Sequence, residues 1–138
     1  MTKNDIIKFI NENPACHLAT TEKDQPHVRG MLMYRADEQG ILFHTGTTKD
    51  LYKQLKANPK VELCFFSPKT NEQIRVSGTA EPVEDQKLKE EIVANRPFMQ
   101  PWVKERGYGF LAVFRVKNCA ATAWTMAANL APKEFIKL

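Results

Sequence analysis

Apolar residues recur along this chain with two periods, and the switches between them divide it into elements. Ile6, Ile7, Phe9 and Ile10 share a stripe, so Asn4 to Asn13 is predicted as a helix closed by "NENP". Cys16 to Thr21 alternates as a short strand and leads through the polar turn "EKDQP" into a second strand, His27 to Arg35. Asp37 to Gly40 has hairpin-turn composition, and Ile41 to Thr45 runs back. Leu51 and Leu55 stand four apart in a helix predicted over Leu51 to Ala57. Strands are expected at Lys60 to Phe66 and Gln73 to Val83, then a helix over Asp85 to Asn95 with Leu88 and Ile92 on one face. Pro97 and Pro101 break the chain and leave Phe98, Met99 and Trp102 to pack irregularly. Tyr108 to Lys117 and Ala120 to Thr125 read as a closing strand pair turning at Lys117-Asn118. The tail "LAPKEFIKL" shows no period.

Six or seven strands, mostly joined by turns rather than crossover helices, give a mainly β (α+β) fold: an antiparallel barrel with peripheral helices. A doubly wound sheet does not fit, since no GxGxxG follows a strand. At 138 residues, one domain over 1–138 is expected. No apolar run reaches membrane-spanning length, and "MTKNDIIKFINEN" is acid-bearing and amphipathic rather than a signal peptide, so a cytoplasmic protein is expected. The three cysteines are odd in number and far apart, as for reduced thiols. The net charge of +4 is spread between acids, with no basic block suited to nucleic acid. A phosphate-bearing small ligand suits that charge.

Two stretches carry candidate chemistry. In strand 27–35, Arg29, Met31, Met33 and Arg35 point one way, and Val28, Gly30, Leu32 and Tyr34 the other. An arginine-methionine face suits a ligand groove or a subunit interface, or is simply an exposed sheet face; Gly30 suggests a bulge or a close backbone approach. The second stretch is "FHTGTTKDLYKQLKANP", where a lysine opens a helix. A cation there opposes the helix dipole. Thr47 or Thr48 could cap the helix, with Asp50 completing a capping box, yet that leaves Lys49 unexplained. A bound phosphate, held by backbone amides, threonine hydroxyls and Lys49, accounts for it. His17, His27, His44 and Cys16 lack metal-ligand spacing, so no metal site is expected, and no GxSxG elbow is present.

The run "VRGMLMYRADEQGILFHTGTTKDLYKQLKANPKVELCFF", followed by "QIRVSGTAEPV", resembles the flavin-binding split-barrel family of pyridoxamine 5′-phosphate oxidase-like proteins over roughly residues 1–117. "TGTTKDLYKQLKANP" is most similar to the small nitroimidazole-resistance-like branch. The resemblance implies a split β-barrel and a homodimer with two FMN molecules in clefts between subunits. It matches Arg29 to an FMN-phosphate contact and Gly30, Met31, Leu32 and Met33 to the strand lining the isoalloxazine ring. It places His44 and Thr45 at the end of the returning strand, Thr48 and Lys49 at the phosphate-binding helix start, and Gln73 near the flavin.

The departures bear on substrate. The oxidase's substrate lysine after the arginine strand is Tyr34 here, and its Ser-Arg-Lys aligns with Lys49, Asp50 and Leu51. Its Arg-Pro-Arg-x-Ser stretch survives as "NRPFMQP", with Phe98 for the second arginine. Losing these cations argues against a phosphorylated vitamin and for a more apolar substrate. The expected function is an FMN-dependent oxidoreductase acting on a small organic molecule, with NAD(P)H as a candidate donor and no side chain required as acid or base. A non-catalytic flavin carrier or sensor, and a haem- or deazaflavin-binding relative, are the alternatives. Trp124 has two readings: a core residue closing the barrel, or a ring crossing the dimer to the edge of the partner's flavin, where neighbouring alanines leave room.

Overall fold

A computed structural model describes residues 1–138. One antiparallel sheet dominates it, with strands β1 (Ala15–Glu22), β2 (Gln25–Leu32), β3 (Arg35–Asp37), β4 (Gly40–Gly46), β5 (Lys60–Ser67), β6 (Glu72–Pro82), β7 (Leu111–Trp124) and the short β8 (Ile136–Lys137). Their order is β2-β1-β5-β6-β7-β4-β3, with β8 added to β7. The expected mainly β split barrel with peripheral helices is therefore the fold, at eight strands rather than six or seven.

The sheet is open between β2 and β3, although the two are consecutive in sequence. The expected single strand over 27–35 stops at Leu32, because the backbone changes partners there. The Met33 N–H donates to the Pro14 carbonyl beside β1, whereas the Tyr34 N–H donates to the Leu42 carbonyl of β4. Met33–Tyr34 thus bridges the split. The side-chain faces also correct the sequence reading. Arg29 and Met31 turn inward, half-buried, and Met33 is in the core at 1% exposure, so this side is not a free interface. The outward side carries Val28 and Leu32, exposed at 69% and 44%.

The expected closing hairpin is instead one strand of 14 residues. Asn118 does take a left-handed φ of 55°, but pairing with β6 resumes beyond it. Ser77 pairs with Ala120 and Thr79 with Lys117, so Gly78 alone faces Asn118 and Cys119. That is a β-bulge, which bends β7 so that its first half reaches β4 while its second half takes β8.

The helices are α1 (Lys3–Glu12), α2 (Asp50–Ala57), α3 (Gln86–Asn95) and α4 (Gln100–Arg106). Thr2 and Asp5 form a capping box on α1, whose Ile6, Phe9 and Ile10 enter the core. α4 was expected to be irregular. Pro101 sits at its first turn, where a missing N–H costs nothing, so the proline starts a helix rather than ending one. Leu51 and Leu55 of α2 join Phe43, Phe65, Phe114 and Leu18 in the main core, and Leu88, Ile92 and Met99 form a second cluster with Leu42 and Val113. The two clusters fix α2 and α3 against opposite faces of β4. No helix is long and apolar enough to cross a membrane.

Candidate functional site

The start of α2 is uncapped. Lys49 occupies the N-cap with extended backbone (φ −83°, ψ 151°), and no side chain caps the first turn. Neither threonine cap forms, and there is no capping box. Thr48, Lys49 and Asp50 are all exposed. The turn leading in is held by backbone alone: the Thr47 N–H donates to Phe110 and the Lys49 N–H to Gly46. The result is a helix start with free amides, a lysine, and no carboxylate within ion-pair distance of that lysine.

Arg29 approaches this turn from β2. Its Nη1 donates to the Leu18 carbonyl at 3.3 Å and to Thr20 Oγ1 at 2.8 Å, and its Nη2 donates to Gln54 Oε1. The Thr20 hydroxyl donates to the same Gln54 oxygen at 2.7 Å. Thr20 and Gln54 are 2% and 6% exposed, so a buried β1–α2 polar pair holds the guanidinium. Burial lowers the pKa of Arg29 and the Asp50 charge opposes that shift. The five guanidinium hydrogens exceed these contacts, which leaves N–H groups free for an anion.

A second knot forms at His44 on β4. Its Nε2 lies 2.7 Å from Arg96 Nη1. Arginine only donates, so Nε2 accepts and the ring proton is on Nδ1. Burial first, then the charges of Arg96 and Lys49, push the His44 pKa down to about 4. Next to it, the Thr45 hydroxyl is buried and has no hydrogen-bond partner. It is one of three such buried groups, with Arg115 Nε and Thr122 Oγ1, and the one that adjoins His44. Sequence reasoning missed Arg96. Its signal was "NRP": an arginine at a helix end held by a proline.

Of the expected site residues, Leu32, Met33 and His44 meet at Arg96, the Lys49 charge acts on His44, Thr45 and Thr48 adjoin these two in the chain, and Arg29 reaches α2 through Gln54. Met33 can offer only its backbone, because its side chain is in the core. Gly30 faces outward, and a Cβ built on it would meet nothing within 4 Å, so no neighbour within the chain requires a glycine there. Gln73 and Trp124 stand elsewhere. They pair directly across β6 and β7, three strands or more from β2, which is about 14 Å or more of sheet. Trp124 is half-buried, belongs to neither core cluster, and donates its indole N–H to Asn129 Oδ1 at 2.8 Å. The core reading of Trp124 therefore falls.

Comparison with known proteins agrees with this fold. The family model for pyridoxamine 5′-phosphate oxidase matches residues 3–117. A pyridoxine/pyridoxamine 5′-phosphate oxidase from Actinobacillus succinogenes is 33% identical over 120 residues, covering 84% of this chain and 55% of that protein. The chain spans only 34% to 60% of the length of these curated relatives. Among solved structures, a NimC/NimA family protein from Clostridium acetobutylicum superposes with a TM-score of 0.80 at 25% identity, covering 98% of this chain and 92% of its own. A pyridoxamine 5′-phosphate oxidase-related, FMN-binding protein from Nostoc punctiforme shares the fold at a TM-score of 0.69 and 15% identity, with 99% and 95% covered.

Proposed function

The chain belongs to the pyridoxamine 5′-phosphate oxidase-like family of split barrels, and on that premise we propose that it is an FMN-binding oxidoreductase acting on a small organic substrate. The observation that carries the reading is the uncapped start of α2, where Lys49 has no carboxylate within ion-pair distance and Arg29 reaches the helix from β2. These residues fit FMN. Lys49, the α2 amides and the free N–H groups of Arg29 would take the phosphate, with Thr48 able to add a hydroxyl. The Gly30–Met33 backbone, His44 and Thr45 would border the ring. FMN, when bound, supplies two-electron chemistry at its N5, and the protein's share is binding, orientation and exclusion of water. His44, neutral with hydrogen on Nδ1, is a donor rather than a cation at neutral pH.

The site also argues against a pyridoxamine phosphate oxidase activity. Tyr34, standing for the expected substrate lysine, accepts from Asn95 at 2.8 Å and donates to Glu91, so it is occupied within the chain. Phe98, at the lost arginine, is 56% exposed and stacks edge-on with Trp102 at 6.1 Å. An uncharged, partly aromatic substrate suits that rim better than a phosphate ester. Gln73 and Trp124 cannot meet a flavin on β2 of their own chain. A second copy placing its Gln73–Trp124 pair against that flavin would complete the site, which favours the homodimer.

Flavin titration of purified apoprotein tests the assignment. Arg29→Ala and Lys49→Ala should each weaken FMN by about 10- to 100-fold, the loss of one charge-assisted hydrogen bond, while riboflavin binding barely changes. Equal losses for both flavins would remove the phosphate site. Bleaching of the bound flavin by NADH or NADPH, then reoxidation by an added nitroaromatic or quinone, distinguishes an oxidoreductase from a carrier.

A further inference from the structure

Arg96 is the least explained charge in the molecule. It ends α3, where its own N–H donates back to the Ile92 and Val93 carbonyls, and Pro97 follows at once. Its residue exposure is 9%, yet no carboxylate lies within ion-pair distance of it. A buried guanidinium without an anion must be repaid by neutral acceptors. Three are present. Nη1 reaches the Leu32 carbonyl at 3.1 Å and His44 Nε2 at 2.7 Å, and Nη2 reaches the Met33 carbonyl at 2.7 Å. The guanidinium carbon also lies 5.2 Å from the centre of the Tyr34 ring.

All four contacts belong to the segment that bridges the split or to the strand beside it. Leu32, Met33 and Tyr34 are where the chain leaves β1 for β4, and only two backbone hydrogen bonds hold Met33 and Tyr34 there. The geometry points to Arg96 as the positioning residue of the site: a clamp from α3 that fixes the Leu32–Met33 carbonyls and orients His44 with its Nε2 occupied and its Nδ1–H directed away from the guanidinium. As a positioning role this rests on the flavin reading; the clamp on His44 does not.

The side chains around the clamp are consistent with it. Lys49 from α2 and Arg96 from α3 are the charges acting on His44, and no acid offsets them. Glu91 of α3 is engaged by Tyr34 and by Arg35 Nη1 at 3.1 Å. Glu91 thereby ties the outer side of the bridge to α3, while Arg96 ties the inner side. In the oxidase-like pattern Arg96 and Pro97 match the start of the substrate-contacting Arg-Pro-Arg-x-Ser stretch. Here that first arginine is turned into the protein.

Nuclear magnetic resonance of the three histidines tests the proposal in the full chain, with His44 assigned by loss of its signal in His44→Gln. In the wild type, nitrogen shifts should show Nε2 unprotonated, and His44 should not titrate above pH 5. In Arg96→Met the His44 titration should move up, while burial, the larger cause, keeps it below the ordinary value near 6.5, and FMN affinity should fall by about tenfold or more. Arg96→Lys keeps the charge but cannot span two carbonyls and an imidazole, so it should keep the low titration and recover only part of the affinity. A protonated Nε2 in the wild type overturns the clamp, and that reading holds even if Arg96→Met fails to fold. An unmoved His44 titration in folded Arg96→Met overturns it too. If the wild type binds no FMN while His44 behaves as described, the flavin reading fails and the clamp stands.

Discussion

His44 shows how one side chain couples folding to the site. Its pKa is about 4 when folded against an ordinary 6.5, so the unfolded chain takes up a proton that the folded one refuses. Stability should therefore fall as pH drops below about 6.5 and level off once the folded form also protonates, near 4. Between pH 7 and 5 the loss should be at most about 2 kcal/mol. His44→Gln should flatten that slope in urea midpoints measured across the range; an unchanged slope would assign it to other groups. The thiols give a second expectation. Burial pushes Cys16 up to about 12 and Cys119 up to about 11, so neither should react with a thiol reagent at pH 8 until the chain unfolds. Single residues differed in how much of this the sequence disclosed. Lys49 was visible because its charge has the wrong sign for a helix start. Arg96 was not, since its partners lie 52 to 64 residues away and a helix-end arginine has an ordinary solvated explanation.

At the scale of elements, periodicity located most of the strands and α1, α2 and α3, because each buries one face against a neighbour. It failed where backbone chemistry is ambiguous. A positive-φ asparagine serves a hairpin turn and a β-bulge equally well, so Lys117-Asn118 was read as a turn. The deciding feature is on the partner strand. A Cβ at Gly78 would stand 2.6 Å from Val116 Cγ1 and 2.7 Å from the Lys117 carbonyl, so only glycine lets β6 pass the bulge. Gly78→Ala should cost about 1–3 kcal/mol through backbone displacement, read as a lower melting temperature. Gly30→Ala adds the same methyl on β2, where it meets nothing within the chain, and should lower the melting temperature less than Gly78→Ala does. If both variants melt alike, the bulge is not the constraint described. The break after Leu32 escaped the alternation for a related reason: the pattern of faces continues through Met33 and Tyr34 although the pairing partner changes.

For the whole molecule, the sheet register lays out the outward surface as rows. Val28, Ala19, Glu62, Ser77 and Ala120 form one row across β2, β1, β5, β6 and β7, and Gly30, His17, Cys64, Arg75 and Thr122 form the next. Leu32 pairs with Ala15, Phe66 with Gln73, and Gln73 with Trp124 along the third. Val28, Leu32 and Phe66 on this face are 69%, 44% and 43% exposed, and its Glu62 to Arg75 ion pair spans 3.7 Å within the chain. Small and apolar side chains, with Gly30 leaving space above the backbone, suit contact with a flat partner more than with water. This is the opposite side of β2 from the arginine-methionine face first expected to pair. It is also the side where Leu32 and the Gln73–Trp124 pair sit, so a second copy docked here brings one chain's pair toward the other's β2. Val28→Glu places a charge on that face at a position too exposed to matter to the protomer's own core. Light scattering should show the wild type as a dimer and Val28→Glu as a folded monomer with weakened FMN, and Cys64 should react with a thiol reagent faster in the variant. A wild-type monomer that holds FMN would remove the shared site, and a Val28→Glu dimer with unchanged affinity would move the interface to another face.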